Sequence, residues 1–434
     1  MMFEKYDAYK DSALPSFGNV PKHWDIVPLC SITTLKSITN VGNEELLSVY
    51  LDKGVIRFDD VTEKRTNVTS LDLSKYQLVE EGDFVLNNQQ AWRGSVGVSI
   101  YRGIISPAYL VLKLSPKVDA KFANYFFRNS AMVSQYLINS KGVGTIQRNL
   151  YWQHLKRSDV VLPPTEEQIE IAEFLDQKTF EIDQAIAIKE QQIALLNERK
   201  QIVIQKAVTQ GLDPNVPIKD SGVEWIGKIP GHWEVKKIKH VSGEFMYGTS
   251  VECNSLSSGT PVLRIPNIDE LYVNFDDLKF TQLSKSETEN YCLKANDILV
   301  IRTNGNPELV GKSALIRKLD GEFLFASYLI RIKPKKLINP EFLICIMNSS
   351  LVRKALTNGA RTSVGNYNLN TQTLGNCYLT LPPLEEQLAI VEYVAEQQKE
   401  FSKIEKVFFG QIEKLKEYKT TLINDAVTGK IKVA

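Results

Sequence analysis

Apolar residues recur at coiled-coil spacing along two stretches of this chain. In the first they fall at Ile182, Ile186, Ile193, Leu196, Val203 and Ala207, and in the second at Phe401, Ile404, Phe408, Ile412, Leu415 and Leu422. Residues 219 apart correspond: Ile182 with Phe401, Ile193 with Ile412, Leu196 with Leu415 and Val203 with Leu422. Polar residues fill most of the intervening positions, so each stretch is predicted to be a long helix with one apolar seam, diluted in the first by Lys189 and Lys200. Leu162-Pro163-Pro164-Thr165-Glu166-Glu167-Gln168 precedes the first helix, and Leu381-Pro382-Pro383-Leu384-Glu385-Glu386-Gln387 precedes the second. Proline suits the approach to a first helical turn, and the glutamates suit the positive end of the helix dipole. Thr165 and Gln168 have the spacing of a capping box, which Leu384 cannot start in the second copy. Ala207-Val208-Thr209 and Ala426-Val427-Thr428 close the two runs, again 219 residues apart, so the chain is internally duplicated. Gly410 is expected to break the second run, at about 1 kcal/mol relative to alanine in a helix interior. Some 40 residues of helix extend about 60 Å, longer than a small domain is wide. Each seam therefore finds its partner in the other copy, as an antiparallel pair within one polypeptide.

The duplication extends beyond the helices. Lys10-Asp11-Ser12 leads to Gly18, Pro21, His23 and Trp24, and Lys219-Asp220-Ser221 leads to Gly227, Pro230, His232 and Trp233. The Trp is expected to anchor each lead-in in a core, with the His satisfying a backbone carbonyl. Residues 25–160 and 234–380 then alternate β-rich runs with short helices. Gly82-Asp83-Phe84-Val85-Leu86 matches Asn296-Asp297-Ile298-Leu299-Val300, and one short amphipathic helix is predicted at 122–138 and at 340–356. The fold class is α+β: two globular α/β domains separated by two long antiparallel helices that form an intramolecular coiled coil, with pseudo-twofold and circular organisation. Boundaries follow at 1–163 for the first domain with its lead-in, 164–211 for the first helix, 212–380 for the linker and second domain, and 381–434 for the second helix and tail. Residues 1–12 supply the continuation missing after Gly429, so the chain ends are expected to lie close together.

Composition narrows the chemistry. At 43% hydrophobic and 24% charged the chain is ordinary globular material, and no apolar run approaches a membrane span. The first ten residues lack the apolar core of a signal peptide, and five scattered cysteines without a C-x-x-C pair suit a reducing cytoplasm. Four histidines make a metal site an unattractive reading, and none is assigned. The net charge of +1 means that any contact with nucleic acid must come from local patches or be shared with a partner.

No catalytic constellation stands out. Gly305 to Gly311-Lys312-Ser313 is a near miss to a phosphate-binding loop, with five residues where four are needed and Pro307 removing an N–H donor. Glu417-Tyr418-Lys419 sits in a helical run without the upstream acid of a nuclease. What remains is binding chemistry. Asn87, Asn88, Gln89, Gln90, Trp92 and Arg93 gather in one turn, and Arg302, Thr303, Asn304 and Asn306 stand at the matching place, with Lys312 just beyond. Later polar loops hold Lys141, Thr145, Gln147 and Arg148 in the first domain and Arg361, Thr362, Asn366, Tyr367 and Asn368 in the second. Asn and Gln can each make paired hydrogen bonds to adenine edges, and Arg to guanine, while Lys, Thr and Arg also suit phosphates. Enrichment at the same two places in both domains is the signal, since a single polar loop is unremarkable.

With its doubled Leu-Pro-Pro-x-Glu-Glu-Gln motif, its Gly-x-x-Pro-x-His-Trp lead-ins and its two unlike domains, the whole chain resembles the specificity subunit of a type I restriction–modification system. Thr165 in place of Leu and the Phe408-Phe409-Gly410 interruption are the departures. The resemblance implies a subunit without catalysis of its own, whose two target recognition domains each read one half of a split, asymmetric site on double-stranded DNA. It implies two methyltransferase subunits that use S-adenosylmethionine to methylate adenine. It further implies restriction (translocase–nuclease) subunits that cleave with ATP and magnesium, no cofactor in this chain and no membrane. The alternatives are a coiled-coil adaptor without DNA contact and an NTPase built on the Gly311-Lys312-Ser313 loop.

Overall fold

The computed structural model describes residues 3–42, 44–60, 72–143, 147–255, 258–363 and 365–433. Two long helices, Thr165–Gln210 and Leu384–Val427, run without interruption. Gly410 does not break the second: it is helical, and a Cβ there would meet nothing within 4 Å. Compactness divides the chain into Met1–Lys189 with Phe409–Ala434, and Glu190–Phe408. Each long helix thus gives half its length to each unit. The beginning of the first helix shares a core with the end of the second in the first unit, and the end of the first shares one with the beginning of the second in the other. That order makes the pair antiparallel.

The first unit is built on an antiparallel sheet of β1 (Thr33–Lys36), β2 (Asp83–Asn87), β3 (Val96–Val98) and β4 (Tyr109–Leu114), in the order β1-β4-β2-β3. Alternation on the strands sends Phe84, Leu86, Val96 and Leu112 to one face. That face is covered by α1 (Ala120–Arg128) and α2 (Ser130–Ile138), with Phe127 stacked on Phe84 at 4.1 Å. The sequence predicts one helix here. Asn129 divides it, because its side chain accepts from the Met132 N–H and starts a new helix. β5 (Ser140–Val143) and β6 (Gln147–Leu150) then form a hairpin. Ile171, Leu175 and Ile182 of the first long helix and Leu422, Ala426 and Val427 of the second complete the core.

The second unit repeats this plan. β7 (Ser242–Tyr247), β8 (Ile298–Ile301), β9 (Thr303–Asn304), β10 (Ser313–Leu315) and β11 (Leu329–Pro334) include a four-stranded sheet in the order β7-β11-β8-β10. α3 (Pro340–Met347) and α4 (Ser350–Gly359) cover it, again divided where one helix is predicted. β12 (Arg361–Ser363) and β13 (Asn366–Asn368) follow. Ile204, Ala207 and Val208 join Ile390 and Val394 in this core.

The Leu-Pro-Pro-x-Glu-Glu-Gln motif is a joint. In the first unit Gln168, fully buried, accepts from the Asp119 N–H at 2.9 Å and donates to the carbonyls of Lys117 and Pro163 at 3.0 and 2.9 Å. In the second, Gln387 accepts from Asn339 N–H at 2.7 Å and donates to Leu337 and Pro382 at 3.3 and 2.8 Å. The predicted capping box is therefore absent: the Gln168 side chain turns away from Thr165 to hold the strand end and the start of α1. The lead-in is fastened by the neighbouring glutamate. Trp24 Nε1 donates to Glu167 at 3.1 Å while His23 Nε2 lies 2.8 Å from its other oxygen; Trp233 and His232 meet Glu386 at 2.8 and 2.5 Å. Both indoles are fully buried, as expected, but the His partner is this carboxylate and not a backbone carbonyl. Tyr6 also donates to Glu167, and burial together with that carboxylate pushes its phenol well above its ordinary pKa. Near the chain ends, Lys432 N–H donates to the Glu4 carbonyl at 2.8 Å in an antiparallel bridge, so the two termini meet. Gly211 and Gly429, at φ +78° and +71°, end the two long helices in the left-handed conformation beside Trp233 and Trp24.

The seam follows a strict 4-3 spacing of 182, 186, 189, 193, 196, 200 and 203, and of 401, 405, 408, 412, 415, 419 and 422. Ile182, Phe401, Ile412 and Leu422 are buried, and Ile186, Ile193, Leu196, Val203, Phe408 and Leu415 are half-buried. Ile404 is 42% exposed, contrary to its assignment to the seam. It lies one residue off the spacing, and Glu405 takes the position, accepting from Asn197 at 3.4 Å. In the first unit Lys419 occupies such a place and pairs with Asp183 at 2.7 Å.

Two outcomes in urea unfolding follow from these contacts. Gly410→Ala should raise stability by up to about 1 kcal/mol, because an open helical site gains propensity without a clash. Gln387→Ala should lower it by at least about 2 kcal/mol, since buried backbone groups lose their partners; an unchanged midpoint would show that the joint does not hold the unit together.

Candidate nucleic-acid interface

In each unit, two polar segments far apart in sequence meet. In the first, β2 ends at Asn87 and the chain turns through a short helical turn at Ala91–Arg93, capped by Gly94 at φ +100°. The Asn87 carboxamide accepts from the Gln89 N–H at 3.0 Å, and Trp92 Nε1 donates to the Gln89 carbonyl at 2.9 Å, so the turn holds its own shape. Arg93 is exposed and stacks on the Trp92 ring at 4.6 Å. The β5–β6 hairpin abuts this turn through Leu150 N–H donating to the Asn88 carbonyl at 2.8 Å. The predicted polar loop is thus a hairpin carrying Lys141 and Arg148. Thr145 lies outside the described residues, and for Gln147 only the backbone, in β6, is described. The buried Asn88 Oδ1 has no partner among the described residues.

In the second unit the two segments become one sheet. β9 pairs with β13, which pairs with β12, in a three-stranded arm. Arg302, Thr303, Asn304, Arg361, Thr362, Asn366, Tyr367 and Asn368 all stand on or beside it, and Asn306 follows in the adjoining turn. Arg302 Nη2 donates to Asn368 Oδ1 at 3.1 Å, and Thr303 Oγ1 donates to the same oxygen at 3.3 Å. The Arg302 guanidinium also lies 4.3 Å from the ring of Tyr247. Sequence reasoning missed Tyr247: it sits 55 residues before Arg302, at the end of β7, and only sheet pairing brings them together.

Lys312 is not part of the arm. It lines a cavity of about 230 Å³ with Lys200, Glu270, Cys345 and Arg353. Burial holds the Arg353 guanidinium down at about 10 and pushes the Cys345 thiol up to about 12. The near-miss phosphate loop is followed by a strand, β10, and not by the helix such a loop needs, and Ser313 Oγ donates to the Gly311 carbonyl. Glu417-Tyr418-Lys419 lies on the second long helix, with Lys419 engaged by Asp183.

The sequence matches the family profile of the type I restriction modification DNA specificity domain twice, over residues 21–198 and 230–415. It is 27% identical over 395 residues to the type I restriction enzyme EcoKI specificity subunit of Escherichia coli (strain K12), covering 87% of this chain and 83% of that protein. It is 26% identical over 443 residues to the MjaVIII specificity subunit of Methanocaldococcus jannaschii, covering 95% and 94%. Among solved structures, the fold is similar to a chain from a type I R-M system studied for complex assembly and conformational transition, with TM-score 0.67, 14% identity and coverage of 94% and 98%. It is also similar to the HsdS subunit from Thermoanaerobacter tengcongensis, with TM-score 0.51, 15% identity and coverage of 95% and 98%.

An interface built for a ligand differs from scaffold in what its loss does to folding. Arg361→Ala, at an exposed position, should leave the denaturation midpoint within about 0.5 kcal/mol of wild type. Glu386→Gln should lower it measurably, because His232 and Trp233 lose a carboxylate partner; equal effects of the two would erase the distinction.

Proposed function

We propose, for a chain that belongs to the type I restriction–modification DNA specificity family, a division of labour between two readers and a paired-helix spacer. The chain is a specificity subunit, and it confers DNA sequence specificity without catalysis of its own. Each globular part reads one half of a split target on double-stranded DNA, and the two half-sites differ because the two arms differ in sequence. The observation that carries this is the convergence, in both units, of the turn after the second sheet strand with the hairpin that precedes the Leu-Pro-Pro strand. Amides, hydroxyls and arginines on such projecting segments suit base edges and phosphates. A net charge of +1 leaves much of the phosphate neutralisation to partners, so affinity for DNA should be strongest in the assembled complex and fall with salt.

The long helices also supply a docking face. In the first unit Phe180 and Ile188 are 61% and 54% exposed, and in the second Leu195 and Ile202 are 64% and 46% exposed. Ile188, Leu195 and Ile202 recur every seven residues on one helix, outside the seam, as a helical partner would require. The partners are two methyltransferase subunits, which bind S-adenosylmethionine and methylate adenine. Restriction subunits add cleavage driven by ATP with magnesium. Among the described residues no helix is long and apolar enough to cross a membrane. A role on DNA places the assembly in the cytoplasm.

Replacing residues 25–160 with the corresponding domain of a relative should change one half of the methylated sequence, read by mapping modified adenines; a change in both halves would refute the modular reading. Arg93→Ala and Arg302→Ala should each weaken target binding in a gel-shift assay. Leu195→Asp with Ile202→Asp should abolish co-purification of the methyltransferase while leaving the chain folded, and retained co-purification would move the docking face elsewhere.

A further inference from the structure

Arg302 sits in a cradle formed by Tyr247 and Asn368. Its backbone is fixed on both sides, with N–H donating to the Tyr328 carbonyl at 2.9 Å and C=O accepting from Leu369 at 2.8 Å. The Tyr247 ring lies against the guanidinium at 4.3 Å, and the Tyr247 hydroxyl accepts from the Thr371 N–H at 3.2 Å, which sets the ring in place. Nε is buried without a partner among the described residues, and Nη2 is tied to Asn368 Oδ1. Nη1 has no hydrogen-bond partner among the described residues and Nη2 keeps one N–H beyond its bond to Asn368, so these two nitrogens carry the donors left for a ligand. The two bonds received by Asn368 Oδ1, from Arg302 and Thr303, fix its amide so that Nδ2 is the group it can offer.

Resting on the DNA-specificity reading above, we propose that Tyr247, Arg302 and Asn368 form a guanine-reading unit in the second half-site, with Arg302 bonding a guanine O6 and N7 and Tyr247 acting as its positioning residue. Two adjacent acceptors match the free end of the fork. Adenine would set its N6 amino group against a donor, cytosine offers a donor, and thymine offers one acceptor beside a methyl group. A phosphate also presents two acceptors. It needs only positive charge within reach, however, whereas a guanidinium held in plane by a ring and tied at one nitrogen is oriented for a flat target. Arg93 in the first unit is exposed and stacks on its sequence neighbour Trp92, and among the described residues no amide orients it as Asn368 orients Arg302.

The test uses the full chain assembled with its methyltransferase partner and selection from randomised duplex DNA, followed by sequencing and titration at several salt concentrations. Wild type should select a split site with an invariant guanine in one half. Arg302→Lys keeps the charge and loses the fork; it should reduce discrimination at that one base pair by roughly tenfold or more while the other half-site stays unchanged. Tyr247→Leu should relax the same position, more weakly. The unaltered half-site reports that both variants are folded. Uniform weakening at every sequence, with base preferences intact and the salt slope of the Arg302→Ala variant lower by about one, would identify a phosphate contact and overturn the proposal. Unchanged selection by Arg302→Lys would overturn it too. A wild-type assembly that selects no split site would instead sink the specificity reading on which this one rests.

Discussion

At each junction between a globular part and its long helix, one buried carboxamide bonds three backbone groups that no regular ladder serves. Gln168 and Gln387 reach the motif's own proline carbonyl, the loop after the last sheet strand, and the N–H that opens the following helix pair. Buried backbone groups left unpaired are costly, so this joint constrains the direction in which each helix leaves its domain. The adjacent glutamate adds the lead-in, through an indole N–H and an imidazole. Three chain segments distant in sequence are thereby locked at one point, in both units, by two consecutive residues.

With the joints fixed, the seam between the helices can be thin. Its spacing is kept strictly at four and three residues, but polar residues stand at several positions: Lys189, Lys200, Glu405 and Lys419. Such a seam gives up hydrophobic burial. In return, an Asp183–Lys419 pair and an Asn197–Glu405 contact favour one register, the way polar residues at core positions of coiled coils do. The apolar residues displaced to the outer face are those proposed to receive the methyltransferase.

The proposed recognition arms obey a different logic. They lie beside a packed sheet-and-helix scaffold and are largely held by their own turns and pairings. Asn87, Asn304 and Asn306 accept from backbone N–H groups two residues on, leaving their amide N–H donors uncommitted among the described residues. Sequence can vary there at little expense to stability, which is what a reader of arbitrary DNA targets requires. The cluster on Arg302 is the exception, since its side chain is oriented by groups from two other strands.

What the sequence determined by itself is whatever depends on local periodicity and on repetition: two long helices, their antiparallel partnership, the paired landmarks of two α/β domains, and the meeting of the chain ends. Those follow from the recurrence of apolar residues and from repeated motifs, 219 residues apart along the helices and 209 apart in the lead-ins, which need no knowledge of distant contacts. Only the tertiary structure decided the rest. The Thr165–Gln168 spacing read as a cap because nothing local reveals that Lys117 and Asp119 lie nearby and claim the amide. Ile404 read as core because hydrophobicity outweighs a one-residue displacement until the facing helix is present. The polar loops read as separate clusters, and Tyr247 went unnoticed, because strand pairing across dozens of residues is what turns them into one surface. Long-range pairing leaves almost no trace in the sequence of either partner, and the candidate site consists largely of such pairings.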